Sequence, residues 1–419
     1  MTVCSEQFIG LGRAQQKALG FPGLAIAVVP HPFGTQAREA LTEIARDCAA
    51  QIAQHLCDIG SDEPVAAASA VAAVPRASLV EAPLALGALN QFYIERRWGD
   101  GLPIVPPTVA AVDEMLQYTT LARDTVVATI APGFGVATVE YIAINAVMAG
   151  CLPQYLPVLI AAARAVATTT FHLQAIQATT NPAAVWLVVN GPIAKTLGVN
   201  AGSNCLGQGV WANATLGRAL RLMLQNIGRA LPGEMDRSTQ GQPGKYLFCC
   251  AENEAASPWE PLHVERGFAA TESTVTVVGA LGTWSMNMTA SAAEDVLFMI
   301  AETMQYPASS DYVFGGHPFI LLSPQHAKIF AAAGWSKAEF KQRLWAASKM
   351  PAGRSRGSEF ERTVTARQAE LGQIGPETLL PITVVPEDIG VIVAGGTGSH
   401  SVFVPVSAHT QAVTCAITA

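Results

Sequence analysis

The densest group of chemically active side chains lies in residues 252–266. It contains four carboxylates, one imidazole and one guanidinium: Glu252, Glu254, Glu260, His263, Glu265 and Arg266. Neighbouring carboxylates raise one another's pKa and an adjacent arginine lowers it, so the group could supply a general acid and a general base. The same oxygen and imidazole ligands suit a divalent metal. The alternative is a solvated loop held by salt bridges, because Pro258 and Pro261 interrupt the segment.

A glycine-rich segment follows the apolar run that ends at Ala394. Its glycines, Gly395, Gly396 and Gly398, let a backbone approach a ligand closely and bind it through exposed N–H groups, which makes them candidates for cofactor binding. His400 in the same segment is a candidate acid or base. The spacing is not that of a dinucleotide fingerprint or a phosphate-binding loop. The alternative is a glycine turn between two strands at residues 389–394 and 402–404.

A second glycine-rich loop, residues 200–209, leads into a helix predicted to begin near Ala212. The free N–H groups at a helix start favour a bound carboxylate or phosphate, so Ser203 and Asn204 are candidates for substrate binding. Cys205 lies at the same place and is a candidate nucleophile, as is Cys151 after a predicted helix. The alternative for both cysteines is burial as inert apolar side chains.

Asp100 lies between two glycines and is followed by a proline-bordered run. A carboxylate on such a rigid loop could orient a substrate. The alternative is that Asp100 caps a turn.

Composition narrows the classes of function. The chain has 419 residues, of which 50% are hydrophobic and 14% charged, so it can bury a large core. A net charge of −7 argues against partners such as nucleic acid or a membrane surface, and a small-molecule substrate is expected. No apolar run of about 18 residues and no signal peptide are visible, so we expect a cytoplasmic protein. Eight irregularly spaced cysteines are expected to be reduced thiols.

The elements that must position these residues alternate along the chain. Strands are predicted at residues 24–29, 125–130, 185–190, 273–279, 318–322, 389–394 and 412–417. Helices are predicted at residues 8–19, 36–56, 138–148, 156–167, 213–227 and 291–304, the last with a serine cap, and Ser336 with Glu339 fits a capping box. The pattern predicts an α/β fold with a mixed or parallel sheet covered by helices. No internal repeat of fixed period is found.

Three segments follow from the same pattern. Residues 1–57 form a partial α/β unit, residues 58–82 an Ala/Pro-rich linker, and residues 83–419 a large α/β domain expected to be catalytic. An incomplete sheet in the first unit would expose a strand edge. We therefore expect a homo-oligomer, or a partner subunit that completes this unit.

Several blocks of sequence resemble a known family. The first lies in Thr2-Val-Cys-Ser-Glu-Gln-Phe8 and continues in Val28-Val-Pro-His-Pro32. Further blocks are Gly99-Asp-Gly-Leu-Pro-Ile-Val-Pro-Pro107, Ala143-Ile-Asn-Ala-Val-Met-Ala-Gly-Cys151, Ala251-Glu-Asn-Glu254, Ser257-Pro-Trp-Glu-Pro-Leu-His-Val-Glu-Arg-Gly-Phe268 and Ala394-Gly-Gly-Thr-Gly-Ser-His-Ser401. These blocks resemble the UGSC-like (seleno)protein family, whose motif region is similar to that of the selenoprotein B subunit of glycine reductase. The resemblance implies thiol- or selenol-linked reductive chemistry on a small molecule.

The family's redox motif precedes the strand that matches Thr2-Val-Cys4, so none of its redox residues is assigned to a position here. We expect that an in-frame UGA codon or a misassigned start has shortened the reading frame. Sequencing upstream for an in-frame extension with the motif tests this expectation.

Three functions remain open from the sequence. The first is an enzyme of thiol- or selenol-linked reductive or carbon–heteroatom bond-cleaving chemistry. The second is a lyase or hydrolase that uses the Glu/His cluster for acid–base work, with or without a metal. The third is a non-catalytic ligand-binding subunit. An enzyme is preferred, and its substrate and cofactor are unknown.

Overall fold

The computed structural model describes residues 1–57, 76–407 and 410–418. The N-terminal unit consists of β1 (Thr2–Ser5), α1 (Ile9–Ala18), β2 (Ile26–Val29) and α2 (Arg38–Cys57). The two strands pair in parallel, and α1 connects them. Ala27, Val29 and Cys48 form a small core between β2 and α2. Of the predicted linker, residues 58–75 lie outside the described residues, and residues 76–82 contain neither helix nor strand.

The rest of the chain contains twelve further strands among the described residues. They are β3 (Val126–Ile130), β4 (Gly135–Thr138), β5 (Ala184–Asn190), β6 (Cys249–Ala251), β7 (Thr274–Ala280), β8 (Trp284–Asn287), β9 (Phe319–Leu322), β10 (Met350–Pro351), β11 (Leu379–Leu380), β12 (Gly390–Val393), β13 (His400–Val404) and β14 (Val413–Ala416).

Helices occupy most of the intervals between the strands. They are α3 (Leu86–Arg96), α4 (Val109–Leu116), α5 (Val139–Ala149), α6 (Leu156–Ala167), α7 (Leu173–Ala178), α8 (Pro192–Thr196), α9 (Trp211–Asn226), α10 (Leu262–Glu265), α11 (Ala293–Met304), α12 (Ser310–Phe314), α13 (Pro324–Ala332), α14 (Lys337–Ala347) and α15 (Ser358–Leu371). No single helix in the described part of the chain is long and apolar enough to span a membrane; Pro153–Ala167 and Thr169–Ala178 pass that test only together, across a bend of 75°.

Two four-stranded mixed sheets form the centre of the large domain. The first has the strand order β6-β5-β7-β14, and the second has the order β12-β9-β13-β8. In each sheet the first two strands are parallel and each later neighbour is antiparallel. The α/β fold with mixed sheets and covering helices is therefore confirmed.

The two sheets pack face to face between two layers of helices. Trp186 and Val188 of β5 point towards Phe319 and Leu321 of β9, in a core that lies between the sheets. The intervening residues of β5, such as Leu187, point to the opposite side, where α6 and α9 cover the first sheet. In the same way α11, α13 and α14 cover the outer face of the second sheet. Burial on both faces explains why β5 is a continuous apolar run and does not alternate.

The two sheets share one topology and exchange their last strand. β5, β6 and β7 build the first sheet in chain order, and the chain then crosses to add β8 to the edge of the second. β9, β12 and β13 occupy the corresponding positions of the second sheet, and the chain then returns to add β14 to the first. The strands thus form two sheets of the same topology. The amino-acid sequence shows no repeat that predicts this similarity.

The predicted strands and helices all occur, with ends shifted by a few residues. Cys249 and Cys250 point to opposite faces of β6, since one joins the helix-covered core and the other the core between the sheets. Ser336 caps α14 by accepting a hydrogen bond from the Glu339 N–H. The predicted serine cap of α11 is wrong, because this helix begins at Ala293 after an N-cap alanine that has no side-chain acceptor.

Candidate functional site

The carboxyl ends of the two parallel strand pairs meet at one end of the domain. The backbone N–H of Asn253, which follows β6, donates to the carbonyl of Val393, the last residue of β12, at 2.7 Å. Gly395 N–H, which follows β12, donates to the carbonyl of Ala201 at 2.8 Å. Both glycine-rich loops and the start of the acidic segment therefore lie together. Ligands of α/β sheets commonly bind beyond such strand ends.

A polar cluster lies at this place, in which Asn190, Glu252, His263 and Thr274 are buried and Glu254 is partly exposed. The Asn190 side-chain amide donates to Glu252 Oε2 at 2.6 Å and to Glu254 Oε1 at 3.1 Å. The backbone N–H of Leu262, the first residue of α10, donates to the same Glu252 oxygen at 2.8 Å. One amide thus holds the two carboxylates side by side, where the sequence suggested only that they were neighbours along a loop.

Gly191 fixes the position of Glu254. Its N–H donates to Glu254 Oε1 at 2.7 Å. Its φ angle is 84°, and a Cβ atom added there would lie 2.1 Å from the carbonyl oxygen of Glu272. Only glycine combines this left-handed backbone with so close a contact, so the turn after β5 is specified by this residue.

Several atoms of the cluster are buried and have no hydrogen-bond partner. They are Asn190 Oδ1, Glu252 Oε1, Thr274 Oγ1 and both ring nitrogens of His263. Asn190 and Thr274 are directly opposite on β5 and β7, so their side chains share a face of the sheet. A buried polar atom without a partner costs about 1–3 kcal/mol. A small polar molecule that paired with these atoms would recover that cost.

His326 shows that an unpaired histidine is not the rule in this protein. Its Nδ1 lies 2.7 Å from Ser401 Oγ, and its Nε2 lies 3.1 Å from the carbonyl oxygen of Met288. Both nitrogens of this buried imidazole are therefore satisfied inside the fold. His263, equally buried, differs in having neither nitrogen paired.

The carboxylates of the cluster differ in their environment. Burial raises the pKa of Glu252, and the Lys337 ammonium opposes this only in part. Glu254 is the reachable member, with 29% of its side chain exposed, and its Oε1 lies 3.7 Å from His263 Nδ1. The pair thus offers one carboxyl that stays protonated to a higher pH and one that contacts solvent.

Glu265 and Arg266 belong to other interactions. Glu265 accepts from Lys337 Nζ at 2.7 Å and also from Lys341 Nζ. Burial alone would raise the pKa of Glu265, but the two ammonium groups outweigh it and the pKa is lowered. Arg266 donates to Ala412 O and Thr414 Oγ1, both at 2.9 Å, and so fastens α10 to the strand β14. Their catalytic roles stay predictions. The contacts show that both side chains hold neighbouring elements together.

The predicted cofactor glycines pack against the loop that carries the predicted substrate residues. A Cβ atom added at Gly396 would lie 2.9 Å from Ser203 Oγ and 3.0 Å from Ser203 Cα, so a larger residue there would push the two loops apart. Asn204 has a φ of 57° and donates its side-chain amide to Gln208 O at 2.8 Å, which closes a turn. Gly398 follows in the same loop, whereas His400 is exposed at the start of β13.

The two predicted cysteine nucleophiles are both buried, but their pKa values shift in opposite directions. Cys205 borders the Gly395 loop, and a hydrogen bond from the Cys250 thiol lowers its pKa against the effect of burial. Cys151 is buried just after the end of α5 and donates a hydrogen bond to Thr215 O at 3.3 Å. Burial raises its pKa to about 12. Of the two, only Cys205 lies near the strand ends.

Native thiol reactivity should follow this difference. At neutral pH we expect iodoacetamide to label the exposed Cys57 at least about 100-fold faster than the buried Cys151 and Cys249, whose raised pKa leaves almost no thiolate. Peptide mass spectrometry over a time course measures the rates. Labelling in urea is the control and should modify all three. Equal native rates for Cys57 and Cys151 would contradict the burial.

Asp100 lies away from the cluster. Arg218 on α9 binds both of its carboxylate oxygens, at 2.7 and 2.8 Å, and Leu102 N–H donates to one of them. The carboxylate thus closes a turn, as the alternative reading of the sequence had it, and also ties this loop to α9. Its substrate-binding role stays a prediction.

Sequence reasoning missed Asn190 and Thr274. The signal for Asn190 is its place as the first polar residue after the six apolar residues that begin β5, at a strand's carboxyl end. Thr274 carries no such signal, because its role depends on pairing with β5. Within the described residues, no group of three or more His, Cys, Asp or Glu side chains is arranged to hold a metal.

The fold and the site define an α/β protein with two stacked mixed sheets and a polar cluster at the strand ends. Residues 1–58 are similar to the UGSC family, whose model matches this N-terminal stretch of the chain. No curated protein and no solved structure matches the chain.

Proposed function

We propose that the large domain is a small-molecule enzyme that performs acid–base chemistry at the polar cluster, as a lyase or hydrolase does. The observation that carries the proposal is the set of buried polar atoms without a partner on Asn190, Glu252, His263 and Thr274. A fold tolerates such atoms where they serve a ligand, since each is costly otherwise.

Each residue has a role in this proposal. Glu254 is the general base, because it is the carboxylate that a substrate can reach and because Gly191 and Asn190 hold one of its oxygens in place. Glu252 is the general acid, since burial keeps it protonated to a higher pH and its Oε1 is free to donate. His263 lies beside Glu254 and relays or holds a proton.

The cluster also suggests the kind of substrate. Asn190 Oδ1 is an acceptor, Thr274 Oγ1 is a donor and acceptor, and a neutral His263 offers one of each. A small molecule with both hydroxyl or amide donors and carbonyl or carboxylate acceptors fits this set. In a lyase reaction Glu254 would remove a proton from the carbon next to the leaving group, Glu252 would protonate that group as its bond breaks, and a double bond would form. In a hydrolysis Glu254 would instead remove a proton from the attacking water, and Glu252 would protonate the group that leaves.

Turnover of a small-molecule extract tests the proposal. Purified full-length protein is incubated with fractionated extract, and depleted and formed compounds are followed by mass spectrometry. We expect turnover that falls at least about 100-fold in Glu254→Gln, because the amide cannot accept the proton. Glu361→Gln, at an exposed position of α15, is the matched control and should keep the wild-type rate.

Two outcomes would overturn the acid–base proposal. One is turnover that Glu254→Gln leaves unchanged. The other is a saturable ligand with no turnover, which would support a non-catalytic binding subunit.

Thiol- or selenol-linked reductive chemistry is the second candidate. It is supported by the UGSC match of residues 1–58 and by the lowered pKa of Cys205 near the strand ends. The same turnover assay distinguishes it, because Cys205→Ser would then abolish turnover that requires an added thiol reductant, while Glu254→Gln would not.

A further inference from the structure

A large cavity lies outside the polar cluster, on the side of the domain formed by α3, α4 and α5. Its volume is about 1060 Å³. The end of α9 and residues 76–80 and 82, which precede α3 and belong to no helix or strand, complete its walls. This volume is at the upper end of the range for sites that bind small molecules.

The cavity is rich in arginine. Five arginines line it against three carboxylates: Arg76, Arg96, Arg97, Arg123 and Arg229 with Asp113, Glu140 and Glu234. The carboxylates are all paired, because Arg76 and Arg123 bind Glu140, Arg123 also binds Asp113, and Arg97 binds Glu234.

Two arginines of the cavity are not part of these ion pairs. Arg96 and Arg229 form no ion pair with any residue that the structure describes, although both are exposed and line the cavity. The cavity therefore carries uncompensated positive charge in a protein whose net charge is −7. A local excess of arginine attracts anions, and the guanidinium binds carboxylate and phosphate oxygens in pairs.

Aromatic side chains stand next to the spare charge. The Arg96 guanidinium lies 3.6 Å from the centre of the Phe92 ring. Phe92 and Trp98 meet edge to face, with ring centres 6.0 Å apart. The guanidinium covers that face of the Phe92 ring, so a ligand bound here would contact the remaining surface of the two rings with the Arg96 cation beside it.

Hydrogen bonds hold this wall in place. Asn226, the last residue of α9, donates to the carbonyl of Trp98 at 2.9 Å and to Asn145 Oδ1 at 2.8 Å. Gln225 donates to the carbonyl of Gly99 at 2.8 Å. The loop after α3 is therefore fixed against the end of α9, which brings Trp98 and Arg229 to one cavity. A site whose backbone is fixed before binding loses less entropy when a ligand arrives.

We propose that this cavity binds an organic anion, in which a carboxylate, sulfonate or phosphate group is attached to a flat apolar body. Arg96 and Arg229 bind the anionic group, and Phe92 and Trp98 contact the apolar body. The site shares no residue with the polar cluster, so the inference is independent of the proposed function.

A pair of matched probes tests the site on the full-length protein. Naphthalene-2-sulfonate is anionic, and naphthalene-2-sulfonamide has nearly the same shape without the charge. We expect calorimetry to show one saturable site that binds the sulfonate about tenfold more tightly than the sulfonamide, with an affinity that falls as salt is added.

Arginine variants locate the site. Arg96→Gln and Arg229→Gln should each weaken the sulfonate by about fivefold or more and leave the sulfonamide nearly unchanged. Both positions are exposed, so the fold should survive, and circular dichroism checks this. Arg343→Gln, an exposed arginine on α14, is the control and should bind as the wild type does. Equal binding of the two probes, no binding of either, or no effect of the Arg96 and Arg229 variants would overturn the proposal.

Discussion

Replacing Glu265 with glutamine is expected to lower the free energy of unfolding by about 3 kcal/mol. Lys337 and Lys341 both bind this carboxylate, and only 2% and 6% of their side chains are exposed. The amide of glutamine can still accept from one lysine but supplies no charge, so two buried ammonium ions lose their counter-ion. Urea unfolding at neutral pH, followed by circular dichroism, measures the change.

The pH dependence gives this prediction a sign. The folded protein lowers the pKa of Glu265 from its usual 4.5, so the carboxylate contributes stability above that pH. That contribution is lost as the pH falls through the lowered folded value. The difference between wild type and Glu265→Gln should therefore shrink in acid.

An exposed ion pair provides the control. Glu294 binds Arg343 with 69% of its side chain exposed, and Glu294→Gln should cost less than about 1 kcal/mol. If Glu265→Gln were as stable as the wild type, the two lysines would not need this carboxylate, and its catalytic role in the sequence-based hypothesis would regain weight.

Local sequence signals were sufficient where an element is buried on both faces or carries its own cap. The run at β5 and the alanine-rich α6 are apolar enough to be recognised alone, and Ser336 marks the start of α14. β6 and β8 were missed because they are short and owe their strand form to neighbours far along the chain. α11 begins without a side-chain cap, since its packing against the second sheet suffices.

The candidate site was predictable in part for the same reason. The sequence showed the acids as one cluster, but it did not show that they form two groups with different partners. Glu252 and Glu254 turn towards Asn190, and Glu265 turns towards two lysines on α14. Both sets of partners lie more than sixty residues away in the chain. Spacing alone does not report such contacts.

The shared topology of the two sheets explains why only one half carries the cluster. Asn190 follows the last apolar residue of β5, and Ser323 follows that of β9. Glu252 follows β6, whereas Ala394 follows β12. Ser323 caps α13, and Ala394 packs into the core between the sheets. The corresponding end of the second half is therefore built for packing, and the polar groups of the first half are not a requirement of the topology.

The burial of Asp311 predicts that the free energy of unfolding depends strongly on pH. It is completely buried, and burial raises its pKa from 3.8 to about 8. One oxygen accepts weakly from Val406 N–H at 3.4 Å and from the Ser309 hydroxyl at 3.5 Å, and the other has no partner. Gly316 presses against that second oxygen, where an added Cβ atom would lie at 2.2 Å. None of the ion pairs among the described residues involves Asp311, so the folded protein prefers the neutral acid.

The sign of the effect follows from proton binding. Between pH values of 3.8 and about 8 the folded protein keeps the Asp311 proton and the unfolded chain has lost it, so stability falls as the pH rises. This pKa difference corresponds to about 6 kcal/mol at most. Asp311→Asn is neutral at every pH, and we expect it to be more stable than the wild type at the alkaline end.

Urea unfolding of both proteins across this pH range measures the effect. Burial also raises the pKa of Glu252, so a smaller decline of the same sign should remain in Asp311→Asn. Asp295→Asn, at an exposed position in the first turn of α11, should keep the full wild-type decline. Parallel curves for wild type and Asp311→Asn would mean that Asp311 is ionised in the folded protein, and a cation or a rearranged loop would then have to stabilise its charge.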